Sequence, residues 1–215
     1  MVILASASPR RQELLRNARI PFVVQAADIE ERIREGELPR DCAQRLAREK
    51  ALAVSSSRPA DCILGADTIV VVDGNILGKP RDAADAARML RTLSGRDHEV
   101  ITGVCVTAAV ARGQGSGAST SELLTTPALG GIDEQLAGHR RLVTASETTL
   151  VTMSELSDAD IREYIATGEP MDKAGAYAIQ GIASRWISRI EGDYSNVVGL
   201  PVALVYRMLR EQGEL

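Results

Sequence analysis

A near-continuous apolar run from Cys62 to Val72 places the tightest constraint on the fold of this chain. Such a run is typical of a β-strand that is covered on both faces. Asp67 stands inside the run, although a buried carboxylate is costly unless it is paired, hydrogen-bonded or bound to a metal. Gly65, just before it, permits a bulge or the close approach of another backbone. A metal ligand or general base is therefore the favoured interpretation of Asp67, and a carboxylate that caps a turn is the alternative.

The first residues predict a strand, a tight turn and a helix. Val2 to Leu4 have the length and apolarity of a short buried strand, Ser8 suits an N-cap, and Pro9 suits the first helical position. Free backbone N–H groups at a helix start, together with arginine, favour phosphate or carboxylate. A capped helix with solvated arginines is the alternative. The polar side chains at this helix start are Ser6, Ser8, Arg10 and Arg11.

Three further charged groups lie on segments that could reach the same site. The acidic cluster that ends at Glu31 is either a solvated loop or the source of a carboxylate for a divalent cation. Lys50 lies near the apolar stripe of a helix predicted from Pro39 to Val54, where a lysine commonly extends its ammonium into water. The Asp73-Gly74 dipeptide predicts a hairpin whose returning strand brings Lys79 near Asp67.

The remainder of the chain alternates strands with helices, which predicts an α/β fold with a mixed sheet. Residues 112–141 are rich in glycine and serine at their start and are interpreted as an inserted hairpin tip or a disordered segment within a single domain of 215 residues. The other predicted elements are helices over 82–93 and 157–166, strands over 98–110, 142–153 and 186–190, a turn over 192–196, and a last helix within 197–209.

Composition excludes several classes of protein. The net charge is −4 and aromatic residues make up 3% of the chain, so neither a basic stripe nor stacking residues favour nucleic acid as a partner. No apolar run suits a signal peptide or a membrane span, which predicts a cytoplasmic protein without a membrane partner. Cys42, Cys62 and Cys105 form no CxxC motif and are predicted to be core residues in a reducing compartment.

Five separated segments together resemble the Maf family of nucleoside triphosphate pyrophosphatases, and the match extends from residue 2 to about residue 209 apart from the 112–141 insertion. The resemblance implies an inosine triphosphatase-like fold, with two α/β lobes around a central cleft, and a homodimer. The five segments are 4–11 (LASASPRR), 65–68 (GADT), 78–80 (GKP), 172–177 (DKAGAY) and 192–201 (GDYSNVVGLP).

The same resemblance implies a reaction and a role for each matching residue. Family members hydrolyse a nucleoside triphosphate between the α- and β-phosphates with a divalent metal, Mg²⁺ or Mn²⁺, and release pyrophosphate. Asp67 matches the proton acceptor and, with Glu31, the acidic residues associated with the metal. The positions that match phosphate contacts are Ser6, Ser8, Arg11, Lys50 and Lys79.

Three more positions concern the choice of nucleotide. The branch of the family that acts on dTTP and UTP carries Arg, Thr and Gln where this chain has Arg10, Thr68 and Gln180. The branch that acts on 7-methyl-GTP has Trp at the position of Arg10 and is therefore disfavoured. A dTTP/UTP pyrophosphatase of the nucleotide pool, with modified pyrimidine nucleotides left open as substrates, is the leading hypothesis. A non-catalytic nucleotide-binding regulator of cell division is the alternative.

Overall fold

The structure, a computed structural model, describes residues 1–109, 132–136 and 140–215. The strands are β1 (Val2–Leu4), β2 (Phe22–Val24), β3 (Cys62–Val72), β4 (Asn75–Leu77), β5 (Asp97–Ala109), β6 (Ile132–Leu136), β7 (Arg140–Met153) and β8 (Ile187–Glu191). The helices are α1 (Pro9–Asn17), α2 (Pro39–Ser55), α3 (Ala83–Leu93), α4 (Asp158–Ala166), α5 (Tyr194–Val198) and α6 (Val202–Glu211). Three 3₁₀ turns span Glu169–Asp172, Ala174–Ala176 and Ile182–Trp186.

The eight strands form one mixed sheet, which confirms the predicted α/β fold. Its order is β2-β1-β3-β5-β7-β6, with β4 paired to β3 and β8 paired to β7. The pairs β1–β2 and β1–β3 are parallel, and the other pairs are antiparallel. Strand β3 lies inside the sheet and is buried along nearly its whole length, as its apolar run predicts.

Helix α2 packs directly on the backbone of two strands because glycines leave room for it. A Cβ built on Gly65 of β3 would collide with the carbonyl oxygen of Ala47, and one on Gly103 of β5 would collide with that of Ala43. The close backbone approach predicted at Gly65 is therefore confirmed. Since α2 lies this near the sheet, residues further along it meet the middle of β3.

Most predicted element boundaries agree with the structure within one or two residues, and their caps explain why. Ser8 and Asp82 cap α1 and α3 as predicted, and Ser157 and Asp160 form the predicted capping box of α4. The turn predicted over 192–196 is wrong, because Asp193 accepts a hydrogen bond from the backbone N–H of Ser195 and starts the short helix α5.

The three cysteines lie in the core as predicted, and none of them forms a disulfide within the described residues. Burial raises the pKa of Cys42 to about 11 and that of Cys62 to about 12, so both remain protonated near neutral pH. In the described parts of the chain, no helix has the length and apolarity needed to cross a membrane.

The insertion predicted over 112–141 falls largely outside the described residues. Its residues 132–136 form strand β6, which pairs antiparallel with the first residues of β7. The prediction of an inserted hairpin tip for the whole segment stays a prediction.

Candidate active site

An interruption in strand pairing opens a cleft beside the middle of β3. On one edge of β3, the pairing with β1 covers Cys62 to Leu64 and the pairing with β4 begins only at Val70. Between these two stretches, Asp67 and Thr68 face a cavity of about 910 Å³. The fold thus places the middle of this buried strand at the wall of an open cleft.

Cationic side chains outnumber carboxylates along this cleft, although the whole chain is acidic. The lining contains six cations and three carboxylates. Such an excess in a concave site raises the local concentration of anionic ligands. The cations are Arg10, Arg11, Lys50, Lys79, Arg81 and Lys173, and the carboxylates are Glu31, Asp67 and Asp172.

Arg11 is a buried cation that neutral groups hold in place. Its side chain projects from the first turn of α1, and the residue is 8% exposed. Its guanidinium donates to the Gly199 carbonyl at 2.7 Å and to the hydroxyls of Ser6 and Thr68 at 3.0 Å each. No carboxylate in the described residues forms an ion pair with it. Because a buried charge is costly unless it is neutralised, this arrangement suits an anion that enters the cleft.

Ser6 and Ser8 lie just before the start of α1. The Ser8 hydroxyl caps the helix by accepting from the backbone N–H of Arg11. The Ser6 hydroxyl accepts from Arg11 and from the backbone N–H of Ser8 at 3.3 Å. With these acceptor roles filled, each hydroxyl proton can be donated to an oxygen in the cleft.

Lys50 joins two carboxylates across the cleft. Its ammonium lies 2.5 Å from Asp67 Oδ1 and 2.6 Å from Glu31 Oε1, and the residue is 7% exposed. The prediction that Lys50 extends its ammonium into water is therefore wrong. The alternative for Asp67, a carboxylate that caps a turn, is also wrong, because Asp67 lies within β3.

Lys79 reaches this cluster through Glu31 rather than through Asp67. Its ammonium lies 3.4 Å from Glu31 Oε2. Lys79 follows the hairpin whose turn residues, Asp73 and Gly74, both have positive φ. Burial alone would raise the pKa of Glu31, but the charges and hydrogen bonds of Lys50 and Lys79 outweigh it and hold that pKa below its usual value. Glu31 is thus a carboxylate at neutral pH.

Glu31 lies on an irregular segment that is tied to α2 by an arginine. Arg45 donates to both carboxylate oxygens of Glu37 at 2.6 Å and to the Arg32 carbonyl at 2.9 Å. The hydrogen bonds from Arg45 to its carboxylate lower the pKa of Glu37 to about 2. Because Arg45 and Lys50 both belong to α2, this helix fixes the Glu31 segment and also supplies the lysine that Glu31 binds.

The carboxylates fit a divalent cation that takes most of its ligands from elsewhere. The described residues hold no cluster of three or more His, Cys, Asp or Glu side chains suited to a metal. Asp67 and Glu31 share one ammonium and thus lie close enough to share a cation. Mg²⁺ is commonly bound by one or two carboxylates, water and substrate phosphates, which agrees with this donor set.

The three residues assigned to nucleotide choice occupy different parts of the cleft wall. Arg10 lies on α1 and pairs with Asp172 at 3.4 Å, and Gln180 is exposed on the turn before the last 3₁₀ segment. The Thr68 hydroxyl accepts from Arg11 and lies 3.2 Å from the Gly199 carbonyl, to which it donates. Thr68 thus supports Arg11 in this structure, whereas the side chains of Arg10 and Gln180 border open space.

Sequence reasoning missed a buried polar network behind Thr68. The Thr102 hydroxyl lies 3.0 Å from that of Thr68 and donates to the Asn196 carbonyl at 3.2 Å. The Asn196 amide donates to Val100 and Thr149 in neighbouring strands. A polar residue at each of these positions gives little sign of a network in the sequence. Only the strand register and the position of α5 bring the residues together.

Comparison with known proteins agrees with this geometry. Residues 1–212 match the family model described as Maf-like protein. The dTTP/UTP pyrophosphatase of Koribacter versatilis (strain Ellin345) is 52% identical over 214 residues, which cover 100% of this chain and 95% of that protein. The dTTP/UTP pyrophosphatases of Symbiobacterium thermophilum and Geobacter sulfurreducens are 48% and 47% identical, over 99% and 100% of this chain and 94% and 97% of their own lengths. This chain belongs to the Maf family.

Proposed function

We propose that this protein is a dTTP/UTP pyrophosphatase, which hydrolyses the α–β phosphoanhydride bond to give the nucleoside monophosphate and pyrophosphate. The observation that carries the proposal is the buried guanidinium of Arg11, which has no carboxylate partner in the described residues and lies in the same cleft as the Lys50–Asp67 pair. A triphosphate supplies the missing anion. The names of relatives that are about half identical over the whole chain support the choice of substrate.

In this mechanism, the cations neutralise the triphosphate and hold it in place. Arg11, Lys79 and the helix start with Ser6 and Ser8 contact phosphate oxygens, and Lys50 exchanges part of its carboxylate pairing for the substrate. These contacts are worth most where negative charge builds up in the transition state. The low solvent exposure of Arg11 and Lys50 strengthens each electrostatic interaction.

Asp67 accepts the proton of the attacking water in this proposal. Its Oδ1 is fixed by Lys50, so the carboxylate has a defined orientation at the cleft wall. Asp67 and Glu31 would hold Mg²⁺ or Mn²⁺ together with the substrate. A bound divalent metal makes its water far more acidic and neutralises phosphate charge.

The amide of Gln180 and the guanidinium of Arg10 recognise the pyrimidine. An amide offers one acceptor and two donors, which suits the N–H and carbonyl groups of uracil and thymine. A homodimer, as the family resemblance implies, stays a prediction.

The decisive experiment measures pyrophosphate release from dTTP, UTP, ATP and GTP, with Mg²⁺, with Mn²⁺ and with chelator. We expect release from dTTP and UTP that requires the metal, with slower release from the purine nucleotides. In the Gln180→Ala variant, the ratio of the rate with dTTP to the rate with purine nucleotides should fall about 5- to 150-fold. This fall corresponds to a lost base contact of roughly 1–3 kcal/mol. Nucleotide binding without pyrophosphate release would instead favour the non-catalytic regulator.

A further inference from the structure

The turn that carries Gln180 is short and its neighbours are buried. Ala178 and Ile179 are each 5% exposed, whereas Gln180 is exposed at the cleft. The backbone N–H of Gly181 donates to the Ala178 carbonyl at 3.0 Å and closes the turn. The direction of the Gln180 amide therefore depends on how this turn is held from behind.

Two side chains outside the cleft lining hold the turn on either side of Gln180. The Tyr164 hydroxyl accepts from the backbone N–H of Ala178 at 3.1 Å and donates to Glu169 Oε1 at 2.8 Å. The same Glu169 oxygen accepts from the backbone N–H of Ile182 at 3.0 Å. The two residues thus form a continuous hydrogen-bonded bridge from the residue two before Gln180 to the residue two after it.

The bridge is close-fitting, and its tyrosine is shielded from water. A Cβ on Gly181 would collide with both carboxylate oxygens of Glu169. Tyr164 is 1% exposed and packs edge-on against Trp186, with ring centroids 5.5 Å apart. Burial and the neighbouring carboxylate raise the pKa of Tyr164 above its ordinary value, so the hydroxyl proton remains available for Glu169.

We propose that Tyr164 and Glu169 are positioning residues for nucleotide choice, which set the orientation of the Gln180 amide without contacting the substrate. The inference rests on the proposed role of Gln180 in base recognition. A pyrimidine base must meet the amide in one orientation. Loss of the hydrogen bond that holds one side of the turn therefore lowers the preference for pyrimidines. Phosphate binding and the chemical step use the other wall of the cleft and remain unchanged.

The experiment compares Tyr164→Phe, Glu169→Ala and Glu169→Gln with the wild-type chain. Phenylalanine removes the hydroxyl but retains the packing on Trp186, and glutamine retains one acceptor oxygen for the turn. Tyr206→Phe and Glu163→Gln make similar changes at exposed positions and serve as controls. For each variant, kcat and KM are measured for dTTP, UTP, ATP and GTP, and thermal unfolding identifies loss of fold.

We expect Tyr164→Phe and Glu169→Ala to lower the kcat/KM ratio of dTTP to GTP about two- to tenfold, as the loss of one hydrogen bond implies. The change should appear in the KM for dTTP, while kcat with each nucleotide stays within twofold. Glu169→Gln should retain most of the preference, and both controls should match the wild type.

Gln180→Ala, measured in the same series, separates this inference from the proposed function. If Gln180→Ala lowers the preference while Tyr164→Phe and Glu169→Ala leave it intact, the bridge does not position the amide. If Gln180→Ala leaves the preference intact, Gln180 does not recognise the base and the inference fails with it. If all nucleotides lose kcat equally in a folded Tyr164→Phe variant, the bridge serves the whole cleft and the inference is also wrong.

Discussion

Replacing Asp67 by asparagine tests the chemistry of the cleft most directly. Asparagine has nearly the same shape and still offers an oxygen to Lys50, but it cannot take a proton from water. General-base assistance is worth about 10²- to 10⁴-fold in rate, which corresponds to about 3–5 kcal/mol of barrier. We therefore expect kcat for dTTP to fall by at least about 10²-fold.

The structure predicts a much smaller effect on folding. The substitution weakens one charge-assisted hydrogen bond, worth roughly 1.5–3 kcal/mol, but it also removes one buried carboxylate. Lys50 retains Glu31 at 2.6 Å and is not left unpaired. The free energy of unfolding should therefore change by less than about 2 kcal/mol.

The assay combines initial rates of pyrophosphate release with calorimetric binding of an α,β-methylene analogue of dTTP and with urea unfolding. Asp85→Asn is a matched control, because Asp85 is 7% exposed against 6% for Asp67 and also forms ion pairs, with Arg81 and Arg88. It should lose stability but retain kcat. Wild-type kcat in Asp67→Asn would remove Asp67 from the role of base, and loss of analogue binding would show a role in holding substrate.

Three further predictions follow from burial and charge. Lys50→Met leaves the buried Asp67 carboxylate without its ammonium and close to Glu31, which retains Lys79, so urea unfolding should show a loss of roughly 3–5 kcal/mol; an unchanged midpoint would contradict the ion pair between Lys50 and Asp67. Gly65→Ala forces a methyl group against the Ala47 carbonyl and should cost about 1–3 kcal/mol or more, seen as a lower Tm; an equally stable variant would show that α2 can move away. Burial lowers the pKa of His98 to about 4, below the value of about 6.5 in an unfolded chain. The stability contributed by neutral His98 is therefore complete above about pH 6.5 and falls by roughly 3 kcal/mol as the pH drops to 4. Denaturant unfolding across this range should be less pH-dependent in His98→Gln, and identical pH profiles would refute the assignment.

Local signals in the sequence predicted most of the fold because each is decided within a few residues. The cap at Ser8, the hairpin at Asp73-Gly74 and the apolar run of β3 each depend on neighbours in the chain. Helix α5 was missed because its five residues are too few to show a helical period, and its start depends on one hydrogen bond to Asp193.

The candidate site was predicted as a set of residues but not as a set of contacts. The sequence placed Lys79 near Asp67, whereas the ion pair forms with Glu31, from an irregular segment whose path depends on Arg45. The bridge formed by Tyr164 and Glu169 was missed for a related reason. Its partners are backbone N–H groups of a turn, and a pattern of side chains in the sequence does not indicate such contacts.

The interrupted pairing along β3 has a consequence for turnover. Past Leu64 the strand loses its parallel neighbour, and it regains a partner on that edge only at Val70. A triphosphate bound in this gap would lie between the stretch of β3 paired with β1 and the stretch paired with β4. Backbone amides near Asp67 should then exchange with solvent more slowly while nucleotide is held and faster after pyrophosphate departs, so that each catalytic cycle tightens and relaxes the centre of the sheet.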